Sequence, residues 1–582
     1  MIILGINAYH GDASAALVRD GMLIAAAEEE RFRRVKHWAG FPARAVQYCL
    51  AEAGLRLAEV QHVAVNQDSR AHFARKMTYL FTSIPDIGLL RERFANRRHR
   101  GKVSEMLVQT CPGQSFVGAL HKVEHHLAHL SSAFHVSPFE EAVAVSVDGF
   151  GDFASAAWGI GRGKDIGIEG RVFFPHSLGI FYQALTQYLG FPDYGDEYKV
   201  MGLAAYGSPT RMEAMREIVK LQADGTFKLN LAYFCHHRQR LSYDWTTGSP
   251  QFADLFSPAL ERLLGPRRRP ADPLEERHRD IASSVQTMYE EAFFNLIGAL
   301  QHRSGITDIA LAGGCAMNSV ANGKVRRRTS FRRLYVPPAA GDAGGAIGAA
   351  FAVWHGSGAG RSFVMDHGYW GPQFGREDTA RLLAEKRLDI AAAGCRIEEV
   401  PDEMALCRRA AAAIADGQVV GWFQGRMEWG PRALGNRSIL ADPRRADMQA
   451  ILNEKIKRRE SFRPFAPSVL AEAAGEWFED DSAVPFMEQV FQIREAKRPL
   501  IPAVSHVDGS GRLQTVSRDG NPLYYRLIET FHGLTGVPML LNTSFNENEP
   551  VVCEPQQALD CFLRTRMDML VLGNMIVTRA AI

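Results

Sequence analysis

The chain has no closely spaced cysteine pair. Its eight cysteines, at 49, 111, 235, 315, 395, 407, 553 and 561, are scattered over 582 residues. That spacing excludes a Cys-x-x-Cys zinc knuckle and offers no disulfide framework, so a reducing cytoplasm is the expected compartment. Excess charge is nearly absent too: 67 Lys and Arg against 65 Asp and Glu leave +2. A balance so near zero exerts no general pull toward nucleic acid or membrane. Long hydrophobic runs are missing: the opening apolar segment ends within a few residues, at Asn7 and His10, and no later stretch reaches bilayer length. Neither a signal peptide nor a membrane anchor is therefore expected. What is there is globular, 46% hydrophobic and 23% charged. At this length a single core stops growing, and at least two domains are expected.

The most specific string is His125-His126-Leu127-Ala128-His129, followed after an apolar strand by Asp148-Gly149-Phe150-Gly151-Asp152. If residues 124–136 are helical, His125 and His129 share one face at i and i+4, close enough to clasp a cation, with a carboxylate at the end of the next strand to complete the shell. His126 with His129 is the tighter alternative. The glycine-rich turn after the strand presents backbone N–H groups suited to phosphate. An internal echo accompanies it. Ile2–Asn7 turns through Tyr9-His10-Gly11-Asp12 and returns as Ala13-Ser14-Ala15-Ala16; Val143–Val147 turns through Asp148–Asp152 and returns as Ala154-Ser155-Ala156-Ala157. Two such hairpins facing a cleft resemble the actin and sugar-kinase superfamily, where nucleotide phosphates lie between them.

Strands and helices alternate to about residue 355, as in an α/β domain. The clearest helix is expected over 281–302, with Val285, Met288, Tyr289, Ala292, Phe293, Leu296, Ile297 and Leu300 on one stripe and Gly305 beyond its end. A buried strand, Ile309–Ala312, then enters Gly313-Gly314-Cys315-Ala316-Met317-Asn318, whose small residues would admit a purine or ribose. Asp342 sits in a second glycine-rich turn before a helix, a further place for phosphate or a cation. Pro266-Arg267-Arg268-Arg269-Pro270 reads as a solvated loop. The glycine-rich stretch 356–375 marks a boundary, giving expected domains 1–370 and 371–582. Beyond it, strand 419–423 opens into Gln424–Ser438, and a helix leads to the basic stretch Lys455–Pro467. The arginines of these two stretches are interleaved with Gly, Pro and Phe, which suits a shaped pocket for a small polyanion better than a flexible charged face.

Six strings in order carry a resemblance covering nearly the whole chain. They are Glu124–His129, Glu197-Tyr198-Lys199-Val200-Met201-Gly202-Leu203-Ala204, Gly313–Asn318, Gly430-Pro431-Arg432-Ala433-Leu434-Gly435, Ile456–Glu460 with Phe462–Pro467, and Leu541-Asn542-Thr543-Ser544-Phe545-Asn546. The chain resembles the ATP-dependent O-carbamoyltransferases that decorate antibiotics and nodulation factors. The resemblance implies an α/β protein with a duplicated, actin-like ATPase-type N-terminal domain, similar to the tRNA threonylcarbamoyl-transferase fold, and a smaller YrdC-like α/β C-terminal domain. It implies metal ligands His125, His129, Asp148 and Asp342, with iron(II) or another divalent ion, and Mg2+ accompanying ATP. It implies that Gly313, Gly314 and Asn318 contact nucleotide. Arg432, Lys457, Arg463, Arg512 and Ser544 would bind carbamoyl phosphate and ATP, with Lys457 and Arg463 catalytic in forming carbamoyl-adenylate. The adenylate would pass to the first domain, where His10 would act as base for the hydroxyl of a small molecule or sugar.

Two positions depart from the family's pattern. Gly11 stands between His10 and Asp12, where many members place the two side by side, and Asn548 precedes Glu549-Pro550 where glycine is common; Asn tolerates a left-handed turn. Three other functions are compatible with the strings: a tRNA threonylcarbamoyl-type transferase, against which near-zero charge and the fused domains weigh; a sugar kinase, which would form ADP and not need the second domain; and a non-catalytic ATP-binding module. The acceptor and the oligomeric state are not encoded in any motif.

Overall fold

The computed structural model describes residues 1–83, 103–238 and 248–579. The chain divides into two compact units, Met1–Met365 and Asp366–Ile582.

The first unit is built on two sheets of five strands. One comprises β1 Ile2–Asn7, β2 Ser14–Arg19, β3 Met22–Glu28, β4 His62–Val65 and β5 Ala119–Lys122, in the order β3-β2-β1-β4-β5. The other comprises β6 Glu141–Gly151, β7 Ala154–Arg162, β8 Asp165–Phe173, β11 Asp308–Ala312 and β12 Arg333–Tyr335, in the order β12-β11-β6-β7-β8, with a small hairpin, β9 Val219–Leu221 and β10 Phe227–Leu229, between β8 and β11. Their connectivity is the same: the first three strands of each pair antiparallel, and the first strand then pairs parallel with the fourth and the fourth with the fifth. The echo between the two hairpins is therefore a duplicated half in space, as the actin-like, α/β reading requires.

Four helices place the functional residues of this unit: α1 His125–Phe134, α2 Glu197–Leu203, α3 Glu276–Ser304 and α4 Gly344–Gly356. Helix α3 buries its whole expected stripe and stops at Gly305, whose φ of +68° supplies the left-handed C-terminal turn. Helix α4 joins the halves. Its glycines allow contacts that a side chain would forbid: a Cβ on Gly348 would lie 1.8 Å from the Ala128 carbonyl oxygen of α1, and one on Gly5 of β1 would lie 1.9 Å from that of Ala346. Close approach of α4 to both β1 and α1 brings the turn before α4, with Asp342, to the face of α1 that carries the histidines.

One sequence expectation is corrected here. The Pro266–Pro270 loop is not simply solvated, because Arg268 is buried and donates to the carbonyls of Leu189 at 2.9 Å, Asp272 at 2.9 Å and Pro270 at 3.1 Å. A guanidinium can be buried when carbonyls satisfy its donors.

The second unit holds one mixed sheet of nine strands: β13 Cys395–Glu399, β14 Val420–Phe423, β15 Arg437–Ala441, β16 Ala466–Leu470, β17 Gln489–Gln492, β18 Ser510–Val516, β19 Met539–Ser544, β20 Met569–Leu572 and β21 Met575–Arg579, ordered β13-β21-β20-β14-β15-β19-β16-β18-β17. Helices α5 Glu403–Ala415 and α6 Pro522–Thr535 start at side-chain caps from Asp402 and Asn521. The helix expected before Lys457 is a short α-turn, Met448–Ile451, that widens into a π-turn over Leu452–Lys457 and ends at Arg458 with φ +44°. The Lys455 side chain lies outside the described residues. Asn548 is not among the residues of positive φ, so this turn does not use the left-handed conformation expected of it.

Candidate functional site

In the first unit the four expected metal ligands come together. Helix α1 begins at Glu124, whose carboxylate accepts from Leu127 N at 2.8 Å. The following turn points both His125 and His129 at Asp148, near the end of β6. His125 Nε2 lies 3.2 Å and His129 Nε2 2.9 Å from Asp148 Oδ2, and the two Nε2 atoms are 3.0 Å apart. Asp342 Oδ1 is 3.6 Å from His125 Nε2 and 3.5 Å from His129 Nε2. All four donor atoms lie within 4.8 Å of one another. His126 is turned away, with Nδ1 against Ser146 Oγ at 2.9 Å, which resolves the alternative pairing in favour of His125 and His129.

In this buried cluster the histidines and the carboxylates set one another's charge. Burial would raise Asp148, but bonds from His125 and His129 hold it well below the usual carboxylate range. Burial would lower His129, but Asp148 and Asp342 raise it to about 9. Burial, then Asp148, raises Asp342. Two imidazole nitrogens and two carboxylate oxygens form a mixed donor set suited to a first-row divalent ion, so these residues fit the metal that the resemblance implies.

Backbone N–H groups and one hydroxyl hold Asp148 in place. Gly314 N donates to Asp148 Oδ1 at 3.1 Å and Gly149 N at 2.8 Å, while Ser177 Oγ donates to the Asp148 carbonyl at 2.8 Å. Gly313 adopts φ +85°, and a Cβ there would lie 2.3 Å from the Val147 carbonyl oxygen, so only glycine lets this loop reach β6. Asn318 caps the next helical turn through Ala321 N at 3.0 Å and exchanges hydrogen bonds with Gln286 at 2.9 and 3.1 Å, which uses its amide structurally.

His10 stands beside the cluster, its ring centroid 5.3 Å from that of His125. The intervening Gly11 has a local reason: a Cβ there would lie 2.4 Å from the Tyr194 hydroxyl, which packs over the turn. Asp12 binds a different imidazole, His37 Nδ1 at 2.8 Å, and the His37 backbone N–H donates to Glu30 at 2.9 Å. Burial would lower His37, but Asp12 and then Glu30 raise it to about 9. Helix α2 adds Glu197, pushed up to about 7 by burial.

In the second unit, Arg432 and Arg512 flank a buried carboxylate, Glu488, and Arg459 and Arg463 lie near Arg512. Arg432 Nε is 3.7 Å from Glu488 Oε1. Burial raises Glu488 to about 7 against the pull of Arg432 and Arg512. Burial, then Arg432, holds Arg512 well below its ordinary range; Glu488 opposes this, and Arg459 and Arg463 add to it. Arg432 and Arg512 share Glu488, and Arg463 lies 3.5 Å from Glu460, so the four guanidiniums leave a surplus of positive charge, which an anionic substrate would offset. Lys457 and Ser544 form an adjoining knot. The buried Lys457 ammonium donates to the carbonyl and hydroxyl of Ser544 and to Asn546 O at 2.8 Å and Oδ1 at 2.7 Å. Strand register relates the two: Asn542 lies opposite Ala466, and Ser468 opposite Gln514, so Ser544 on β19 and Arg512 on β18 lie at the same end of the strands that flank β16.

Sequence reasoning missed Glu488 and the role of Glu428. Glu428 Oε1 accepts from the backbone N–H groups of Leu434 at 2.9 Å, Asn436 at 2.8 Å and Arg437 at 3.0 Å, and so shapes the loop that carries Arg432. Its place two residues before the Gly-Pro-Arg string was a usable signal. Glu488, alone before an apolar strand, gave none.

Comparison with known proteins gives a consistent picture. Residues 2–351 match the family model described as carbamoyltransferase N-terminus, and residues 411–579 match carbamoyltransferase C-terminus. The chain is 41% identical, over 100% of its own length and 97% of the relative's, to an uncharacterized protein of Synechocystis sp.. It is 38% identical to nodulation protein NolNO of Sinorhizobium fredii, covering 98% of this chain and 80% of that one. It is 41% identical to nodulation protein NolO of Bradyrhizobium diazoefficiens, covering 78% and 79%. Among solved structures it is similar to HypF of T. kodakarensis, with TM-score 0.30 and 13% identity over 61% of this chain and 48% of that one.

Proposed function

The chain belongs to the carbamoyltransferase family, and from that premise we propose that it is an ATP-dependent O-carbamoyltransferase that forms carbamoyl-adenylate in its second unit and consumes it in its first. The observation that carries this reading is the His125, His129, Asp148 and Asp342 cluster with His10 beside it. In the second unit Arg432, Arg463 and Arg512 bind the phosphates of ATP and carbamoyl phosphate, and Glu488 keeps the arginines apart and oriented until the anions arrive. Lys457 fixes the Ser544–Asn546 turn that borders them. Carbamoyl phosphate, ATP and one water give carbamoyl-adenylate, phosphate and pyrophosphate, and fixed cations stabilise the charge that develops in that exchange.

In the first unit His10 accepts the proton of the acceptor hydroxyl, whose oxygen attacks the carbamoyl carbon and displaces AMP. Gly314, Gly149 and Ser177 hold Asp148 in place, and the glycine-rich 313–314 turn leaves room for the nucleotide. A divalent ion such as iron(II), held by His125, His129, Asp148 and Asp342, supplies Lewis-acid charge at the adenylate phosphate when bound.

The test is product analysis with ATP, carbamoyl phosphate and a panel of alcohols and sugars. The expected products are pyrophosphate, AMP and an acceptor heavier by one carbamoyl group. ADP formation would point instead to a kinase, and a requirement for RNA to a tRNA-modifying transferase.

A further inference from the structure

Three buried polar side chains in the second unit have no part in the reaction described above. Ser468 on β16, Gln514 on β18 and Asn542 on β19 lie on adjoining strands, each almost wholly shielded from solvent. Their hydrogen bonds run in one direction. Asn542 Nδ2 donates to Ser468 Oγ at 3.0 Å, and Ser468 Oγ donates to Gln514 Oε1 at 2.7 Å. Each amide also holds a carbonyl of the loop that carries Arg432: Asn542 Nδ2 donates to Ala433 O at 3.1 Å, and Gln514 Nε2 to Leu434 O at 2.9 Å. Carbonyl oxygens only accept, so both amides must turn their NH2 groups to the loop, and the direction of the Ser468 hydroxyl follows. The Tyr369 hydroxyl donates to Leu434 O as well, at 2.8 Å, while Leu434 N is held by Glu428 at 2.9 Å.

The same strands carry groups of the anion pocket. Side chains alternate along a strand, so Arg512 shares a face of β18 with Gln514, and Ser544 shares a face of β19 with Asn542. Ser468 lies opposite Gln514, and Asn542 opposite Ala466, which puts all of them on one face of the sheet. Arg432, Arg512 and Ser544 are thus each next to, or two residues from, a group in one closed hydrogen-bonded set. Stability alone does not call for such a set. Exchanging hydrogen-bonded partners for apolar groups of the same shape costs a buried sheet little. Asn542 Oδ1, moreover, is buried with no hydrogen-bond partner among the described residues, which is a direct cost.

We propose that Ser468, Gln514 and Asn542 are positioning residues for the anion pocket. By holding Ala433 and Leu434 they fix where Arg432 stands relative to Arg512 and Ser544, and so set the affinity for phosphate-bearing substrates. This rests on the reading of the second unit as the place where carbamoyl-adenylate forms.

The test compares the intact wild-type protein with Gln514→Met, which loses the hold on Leu434, and Ser468→Ala, which breaks the link between the amides. Steady-state pyrophosphate release is measured against ATP and carbamoyl phosphate. A residue acting through a substrate-binding arginine raises KM and spares kcat, whereas one that only supports folding reduces the active fraction, so that kcat falls and KM stays. Gln514→Met should raise KM for one or both substrates about tenfold with kcat within about twofold, the loss of one oriented hydrogen bond, and Ser468→Ala should act in the same direction. In an Arg432→Ala background Gln514→Met should add little, because its effect runs through that arginine. Calorimetric titration with pyrophosphate repeats the cycle without any chemistry, and weaker binding in Gln514→Met, absent from the Arg432→Ala background, is expected. A fall in kcat at unchanged KM, an undiminished effect in the Arg432→Ala background, or wild-type pyrophosphate affinity in folded Gln514→Met and Ser468→Ala proteins would overturn the proposal. A wild-type protein that releases no pyrophosphate would instead defeat the proposed reaction, while the titration cycle still decides the positioning role.

Discussion

His129 meets Asp148, His125 and Asp342 in one buried place, and each of these contacts has a different consequence when the imidazole is removed. His129→Ala should eliminate stoichiometric divalent metal and with it the transfer reaction, measured by elemental analysis and by carbamoyl product. Stoichiometric metal in a His125→Ala, His129→Ala protein would remove these residues from the site. His10 is a subtler case. His10→Asn should leave pyrophosphate release near wild type and slow transfer by roughly 10²–10⁴-fold, the usual worth of a positioned acid or base. His37 gives a pH signature. Its folded-state pKa of about 9 stands above the ordinary 6.5, so the protonated Asp12 pair stabilises the fold. That contribution is complete below about pH 6.5 and is lost as pH rises through about 9. The difference in unfolding midpoint between wild type and His37→Gln should therefore shrink across that window, and a gap that stays constant to pH 10 would show that the pair does not titrate there.

Among the elements, α1 and α4 are the pair on which the site depends. Their backbones approach so closely at Gly348 and Ala128 that a methyl group has no room. Gly348→Ala should cost about 1–3 kcal/mol through overpacking. It should also weaken metal binding, because α1 carries the histidines and the turn before α4 carries Asp342. Calorimetry and a metal titration on the same variant check both, and an unchanged metal affinity would mean that the displacement is absorbed elsewhere. The hairpins β1–β2 and β6–β7 were legible from their repeated strings, and α3 from its stripe and its terminal glycine, since these depend on local periodicity. The π-turn over Leu452–Lys457 was not legible. It ends at Lys457, which is tethered to Ser544 and Asn546 far away along the chain, and no local spacing encodes that contact.

For the molecule as a whole, the two units divide the proposed reaction. Lys457→Ala should abolish carbamoyl-phosphate-dependent pyrophosphate release, while supplied carbamoyl-adenylate is still transferred by the first unit. Loss of both activities in a folded protein would argue for one shared site. Charge balance supports a second measurement. With Glu488→Gln, Arg432 and Arg512 lose the carboxylate between them, so stability should fall in phosphate-free buffer and recover on adding pyrophosphate. Recovery by chloride at the same ionic strength would reduce the effect to screening.

The amino-acid sequence by itself determined the α/β class, the duplicated hairpins and the long core helix, each written in short-range spacing. It named His125, His129, Asp148 and Asp342 together only through the resemblance, and the fold set them side by side with His126 turned away. Tertiary structure alone decided which charges meet. Glu488, just before β17, meets Arg512 on β18 and Arg432 of the β14–β15 loop, Arg268 turns inward to the carbonyl of distant Leu189, Asn318 spends its amide on Gln286, and Tyr194 covers Gly11. Burial and long-range pairing set those outcomes. A side chain's charge is visible in sequence, but the neighbours that desolvate or satisfy it are chosen by the fold.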